Sequence, residues 1–202
     1  MRLHHVFVVV AVLAVAIPLA AQSNDVGLWY STAKLGSADD NGARVSFDNA
    51  RGDGVSFNHF WTGALSTEFS VYWLRAKGGI DVGGTRALSF DRTRIMPVTA
   101  DVQWHFLRGT MISPYVGAGI AYVSMNDIRG SDLDLAGIGP VKVDKKLTWN
   151  GNAGVNIGIG HSLAIAVDGK YIKYEPEASG SGGTAKLKLN PKQLSVGVKV
   201  RF

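Results

Sequence analysis

The chain has 202 residues, a formal net charge of +5 and 46% hydrophobic side chains, a length for one domain of ordinary size or at most two small ones. It holds no cysteine, which excludes disulfides, thiolate nucleophiles, iron–sulfur clusters and cysteine-based zinc sites. Glycine supplies 25 residues without any period, beside six prolines, so neither a collagen-like chain nor wholesale disorder fits. Lysine and arginine are scattered along the chain, adjacent only at Lys145-Lys146, so the sequence shows no clustered basic face and nucleic acid is not an expected partner.

The N-terminus reads as a targeting segment. Met1-Arg2 gives a positive start, Val6 to Ile17 is an unbroken apolar run, and Pro18-Leu19-Ala20-Ala21 ends in small residues before Gln22. This is the layout of a secretory signal peptide cut after Ala21. The apolar run is about 12 residues, short of the ~20 that a spanning helix needs. Residues 1–21 are therefore expected to be a signal peptide and residues 22–202 a single barrel domain.

The rest of the chain alternates with period 2, the signature of strands with unlike faces. Segment 25–36 is apolar or small on both faces. In 53–62, Val55, Phe57 and Trp61 oppose Ser56 and Asn58, and in 66–77, Phe69, Val71 and Trp73 oppose Glu68 and Ser70. In 94–106, Met96, Val98, Val102, Trp104 and Phe106 oppose Thr99, Asp101, Gln103 and His105. Segment 114–126 is again small or apolar on both faces. In 146–158, Leu147, Trp149, Ala153, Val155 and Ile157 oppose Thr148, Asn150, Asn152 and Asn156. From Leu163 to Tyr171, the apolar face opposes Asp168 and Lys170. In the last strand Leu194, Val196, Val198, Val200 and Phe202 oppose Gln193, Ser195, Lys199 and Arg201. Eight strands and no helix are expected.

Strands of about 10–13 residues are long for soluble sheets and suit tilted strands crossing a bilayer. Segments 37–52, 78–92, 127–145 and 175–190 are long and polar, whereas 63–65, 107–113 and 159–162 are short. Alternating long and short connections are the pattern of an all-β, eight-stranded antiparallel transmembrane β-barrel, with long extracellular loops and short periplasmic turns. Both termini then lie in the periplasm of a Gram-negative cell, and outer-membrane lipid is the first partner. Aromatic girdles are expected at the two interfaces: Trp61, Trp104, Phe106 and Tyr115 at the periplasmic ends of strands, Trp149 and Tyr171 toward the outer ends. Turning the last strand over would expose Lys199 and Arg201 to lipid, at up to ~2–4 kcal/mol each near the midplane.

Several segments together carry a family resemblance: STEFSVYWLRA (66–76), MPVTADVQWHF (96–106), SPYVGAGIAY (113–122), LTWNGNAGVNIGI (147–159), GKYIKYEP (169–176) and LNPKQLSVGVKVRF (189–202). In order and spacing they resemble the OmpW-type family of small outer-membrane barrels. The resemblance implies a narrow, partly apolar conduit linked to passage of small hydrophobic molecules. Barrel size agrees, since eight strands leave an interior about filled by side chains and no wide water pore. Asp168 and Lys170 depart from an apolar path through the whole height, so a ligand is expected to enter among the loops and leave sideways into the bilayer. A barrel whose loops bind a surface partner is the alternative.

The inward charges Glu68, Asp101, His105, Asp168, Lys170, Lys199 and Arg201 are expected to pair as a polar plug of the lumen, because unpaired buried charge is costly. Apolar candidates at the outer mouth are Leu35, Leu74, Leu133, Leu135, Ile138 and Leu187. Phe202, after alternating apolar residues, resembles the signal read by the barrel-assembly machinery. His59, His105 and His161 lack metal-ligand spacing, and Asp127, Asp132 and Asp134 lack the calcium-loop pattern. Gly117-Ala118-Gly119 and Gly158-Ile159-Gly160 open no helix and so make no dinucleotide loop. No metal, cofactor or enzymatic triad is expected, and the sequence leaves oligomeric state open.

Overall fold

The computed structural model describes residues 23–40, 43–135, 137, 139–180 and 183–202, so the signal-peptide segment and Ile138 lie outside the described residues. Thirteen strands and one short helix are described: β1 (Asn24–Lys34), β2 (Ala38–Asp40), β3 (Ala43–Phe47), β4 (Ala50–Phe60), β5 (Leu65–Val82), β6 (Thr85–His105), β7 (Ile112–Met125), α1 (Ser131–Leu135), β8 (Lys142–Val143), β9 (Lys146–Ile159), β10 (Leu163–Ile172), β11 (Glu177–Gly180), β12 (Gly183–Lys186) and β13 (Lys192–Arg201).

Eight of the strands form a closed antiparallel ring, β1-β4-β5-β6-β7-β9-β10-β13, and β13 returns to β1 over ten residue pairs from Asp25↔Arg201 to Lys34↔Lys192. Closure removes the unpaired edges that an open sheet would carry. The seam is tied at the termini, where Asn24 N donates to Phe202 O and Phe202 N to Asn24 O, both at 2.9 Å. Side chains alternate in and out of the ring. The outer wall is apolar, with Phe57, Phe69, Val102, Ile120, Ile165, Leu194, Val196 and Val198 exposed, a continuous greasy surface that only lipid or detergent covers at low cost.

The four long connections hold more structure than alternation reveals. The segment expected as a loop over 78–92 is mostly a projecting extension of β5 and β6, with register shifts at Ala76/Gly78 and Ile80/Asp81. It ends in a two-residue turn at Gly83 (φ 60°) and Gly84 (φ 83°). Positive φ at both central residues matches the twist of a hairpin, which is why Gly-Gly permits so tight a reversal. In the first connection β2 pairs with β3, which adds to the outer end of β5. In the last, β11 and β12 form a hairpin that adds β8. The third connection corrects the expectation of no helix: α1 begins with Leu133 N and Asp134 N donating to Gly130 O and stops at Gly137 (φ 72°), a left-handed residue suited to a helix end.

The interior has two parts. Near the termini and at mid-height it is polar and charged. Toward the long-loop end it becomes one apolar cluster that includes Leu35, Leu74, Phe90, Ile95, Leu133, Tyr174, Leu187 and Leu189.

Candidate functional site

The polar half begins at the terminus end with a buried triad of charges. Lys199 of β13 donates to Glu68 Oε2 of β5 at 2.9 Å and lies 3.7 Å from Asp25 Oδ1 of β1. Its ammonium also stands 5.3 Å from the Trp29 ring and 5.6 Å from the Tyr115 ring, close enough for cation–π attraction. His105 shares a hydrogen bond of 3.1 Å with Ser66 Oγ and packs against Phe60 and Tyr115. Arg201 is half-buried at this mouth.

A second charged group fills mid-height. Lys170 of β10 donates to Asp101 Oδ2 at 2.7 Å, Thr99 Oγ1 at 2.9 Å and Ser70 Oγ at 3.3 Å. Asp101 also accepts from the Asn150 amide and, at 2.9 Å, from the Thr99 hydroxyl. Asp168 accepts from Tyr115 Oη at 2.8 Å and Asn152 Nδ2 at 3.1 Å. Charges removed from water in this way persist only when paired and hydrogen-bonded. All seven inward residues therefore face one interior and six of them are buried: Glu68, Lys199, Asp101 and Lys170 in ion pairs, Asp168 and His105 on uncharged partners. Asn156 adds a buried amide with no hydrogen-bond partner among the described residues, a group that a polar interior satisfies with water.

Sequence reasoning missed Asp25, Trp29 and Tyr72, all of which point inward. The parity of Glu68 and Ser70 already puts Tyr72 on the lumen face, and Gly27 and Ser31 flank the inward set of β1.

Tyr115 requires a correction. The sequence places it in an interfacial girdle, yet it is 1% exposed and points into the lumen. Strand β7 is small or apolar on both faces, so composition alone leaves its phase open. The neighbouring strand decides it: Tyr115 lies opposite Gly154 of β9, where a Cβ would come within 2.5 Å of Tyr115 Oη. Glycine at 154 makes the room, and the Asp168 carboxylate holds the hydroxyl. The other aromatic candidates face outward. Trp61, Trp104 and Phe106 are exposed around the short-turn end. Trp149 and Tyr171 stand together near the other end, ring centroids 5.6 Å apart.

Four of the six apolar mouth candidates, Leu35, Leu74, Leu133 and Leu187, are buried together in the apolar cluster. Leu135 departs from the expectation: it is 88% exposed, because α1 turns Leu133 toward the barrel and places a residue two further on at the opposite side of the helix. Asp132 is also occupied, accepting from Ser89 N at 3.0 Å, which docks α1 onto the β6 extension. The buried surface contributed by Phe90, Ile95, Met125, Ile128, Tyr174 and Leu189 was not legible in isolated segments, since Met125 ends β7, Ile128, Tyr174 and Leu189 lie in connections, and Phe90 and Ile95 lie in or beside the extension of β6.

The outer wall carries a shallow depression of about 570 Å³ beside Trp149 and Tyr171, where Gly151, Ala153 and Gly169 face outward. A Cβ at Gly151 or Gly169 would meet nothing nearer than a backbone oxygen at 3.7 Å, so these glycines leave the wall thin rather than making room for an interior side chain.

A family model described as the OmpW family matches residues 17–202. Among solved structures, OprG from Pseudomonas aeruginosa is similar with a TM-score of 0.79 at 16% identity, over 89% of this chain and 96% of that one. Outer membrane protein AlkL, solved in lipid bilayers, gives a TM-score of 0.64 at 20% identity, over 93% and 94% of the two chains. Outer membrane protein W of E. coli gives 0.56 at 21% identity, over 91% and 100%. Among curated protein sequences, none matches significantly.

Proposed function

Because this chain belongs to the OmpW family of outer-membrane barrels, we propose that it passes small hydrophobic molecules into the outer membrane, admitting them at the long-loop end and releasing them sideways into the bilayer. The observation that carries this reading is the division of the interior. An apolar cluster occupies the long-loop half, while the Lys170–Asp101 and Lys199–Glu68 pairs block the terminus half. An apolar solute gains by entering the first and loses by displacing buried ion pairs in the second. Passage down the whole axis is therefore disfavoured, and the thin wall at Gly151, Ala153 and Gly169 lies level with Asp168 and Lys170, at the floor of the apolar half where a descending solute is turned sideways. Entry requires α1 and the connecting hairpins to part, with Leu133 as the side chain that α1 withdraws.

In this reading both termini are periplasmic and the long connections extracellular. The buried polar residues below act as a plug rather than a path. Uptake of a fluorescent apolar probe by cells with and without the protein tests the proposal, with a small sugar as the polar comparison. Faster entry of the apolar probe alone supports it. Equal entry, together with surface binding that depends on the long connections, would favour the barrel as an adhesive protein.

A further inference from the structure

At the long-loop ends of three neighbouring strands, arginine lies beside arginine. Arg51 of β4 is directly opposite Arg75 of β5, and Arg75 is directly opposite Arg94 of β6. All three are exposed and face outward, since the adjacent Ala50, Leu74 and Ile95 are buried inside. Directly opposed side chains start about 4.5–5.5 Å apart at Cβ, where like charges repel. Among the described residues no carboxylate forms an ion pair with any of the three. Residues scattered singly in the sequence thus become a cluster through strand register.

Arg51 and Arg75 also line a groove of about 470 Å³ together with Asp48, Asn49, Lys77 and Arg92. Four cations face one carboxylate there, and Asp48 is 3.8 Å from Arg86 Nη1. Asp53, two residues from Arg51, is opposite Trp73, and Asp91 precedes Arg92; neither forms an ion pair with the arginine row. On the same outward faces, the residues leading away from the arginines are Trp73, then Val55 and Val71, then Phe57 and Phe69, all part of the apolar outer wall. The positive groove therefore sits where the lipid-facing wall meets the loops.

We propose that this groove binds the phosphate groups of a phosphorylated glycolipid in the leaflet at the long-loop end, with its acyl chains lying along Trp73, Val71 and Phe69. Guanidinium forks match phosphate oxygens in pairs, and the bound anion removes the repulsion along the row. Continuity with the apolar wall selects a lipid over a soluble anion, because a free phosphate has nothing to place there.

The test uses the purified barrel in a zwitterionic detergent, titrated with lipopolysaccharide, with its dephosphorylated form and with inorganic phosphate, and read by native mass spectrometry and Trp fluorescence. Wild type is expected to bind the phosphorylated lipid at least tenfold more tightly than the dephosphorylated form. Arg75→Gln/Arg94→Gln is expected to lose that preference, while Lys142→Gln/Lys188→Gln, which removes the same charge elsewhere in the loops, retains it. Without lipid, the arginine variant is expected to melt no lower than wild type, as relief of repulsion requires. Equal binding of the two lipids, equal loss in both variants, saturation by inorganic phosphate at the same concentration, or a lower lipid-free melting point would each overturn the proposal.

Discussion

Replacing Lys170 by Met separates the contribution of one buried ion pair from that of the wall around it. Lys170 and Asp101 are both wholly buried, and the ammonium donates to three oxygens within 3.3 Å. Methionine keeps an unbranched stem one atom shorter but leaves the Asp101 carboxylate without its counter-charge, a change that typically costs about 3–5 kcal/mol. Asp101 retains the Thr99 hydroxyl and the Asn150 amide, and such charged hydrogen bonds contribute about 1.5–3 kcal/mol each. The loss should therefore fall at the lower end, about 3 kcal/mol, or roughly two orders of magnitude in the unfolding equilibrium. Adding Asp101→Asn removes the orphaned charge, keeps the Asn150 amide on the remaining oxygen and lets the Thr99 hydroxyl accept from the new amide nitrogen, so most of the loss should return. Urea unfolding of the barrel in lipid vesicles, followed by Trp fluorescence and by heat-modifiable migration, measures both variants. A single variant within about 1 kcal/mol of wild type, or a double variant no better than the single, would refute the pairing as the source of stability.

Three further outcomes are expected. Gly154→Ala places a Cβ 2.5 Å from both Tyr115 Oη and Val167 O, so the assembled barrel should lose about 1–3 kcal/mol by overpacking, measured in the same unfolding assay. Glu175, outside the barrel wall, is held at about 2, below its ordinary 4.5, first by the 2.5 Å hydrogen bond from Lys173 and then by Asn190. A depressed carboxylate stabilises above its unfolded pKa and stops doing so as pH falls through the folded one. Exchange protection of the Leu187 and Leu189 amides, which bond to Pro176 O and Tyr174 O, should fall between pH 4.5 and 2, and in Glu175→Gln it should be low already at neutral pH. Deleting Phe202, read as part of the assembly signal, should reduce heat-modifiable barrel in outer-membrane fractions, and undiminished barrel there contradicts that role.

The ring and its inward charges were legible because six of the eight strands have one polar face, and a strand's period of 2 fixes all its side chains once one is placed. Glu68, Asp101, Asp168, Lys170 and Lys199 follow from that rule alone. Tyr115 did not, because β7 offers small residues on both faces and its phase is set by Gly154 across the ladder. The Gly83-Gly84 turn was present in the sequence as a hairpin signal, but polar flanks made the extension resemble a loop. Leu135 shows the limit of reading hydrophobicity without geometry: a five-residue helix buries Leu133 and exposes its neighbour. The arginine row is the clearest case of information that only register supplies, since Arg51, Arg75 and Arg94 are far apart in sequence and adjacent across two ladders.

Sideways release at the thin wall is tested most directly by filling it. Gly169 faces outward, and a Cβ added there would meet only the Ala153 backbone oxygen, at 3.7 Å, so Gly169→Phe adds bulk to the wall without touching the interior. Entry of a fluorescent apolar probe is then compared in cells carrying wild type, Gly169→Phe or no protein, at equal amounts of heat-modifiable barrel. Proposed release through this wall predicts that Gly169→Phe slows entry toward the rate without protein. Entry at the wild-type rate through a folded, filled barrel would contradict it.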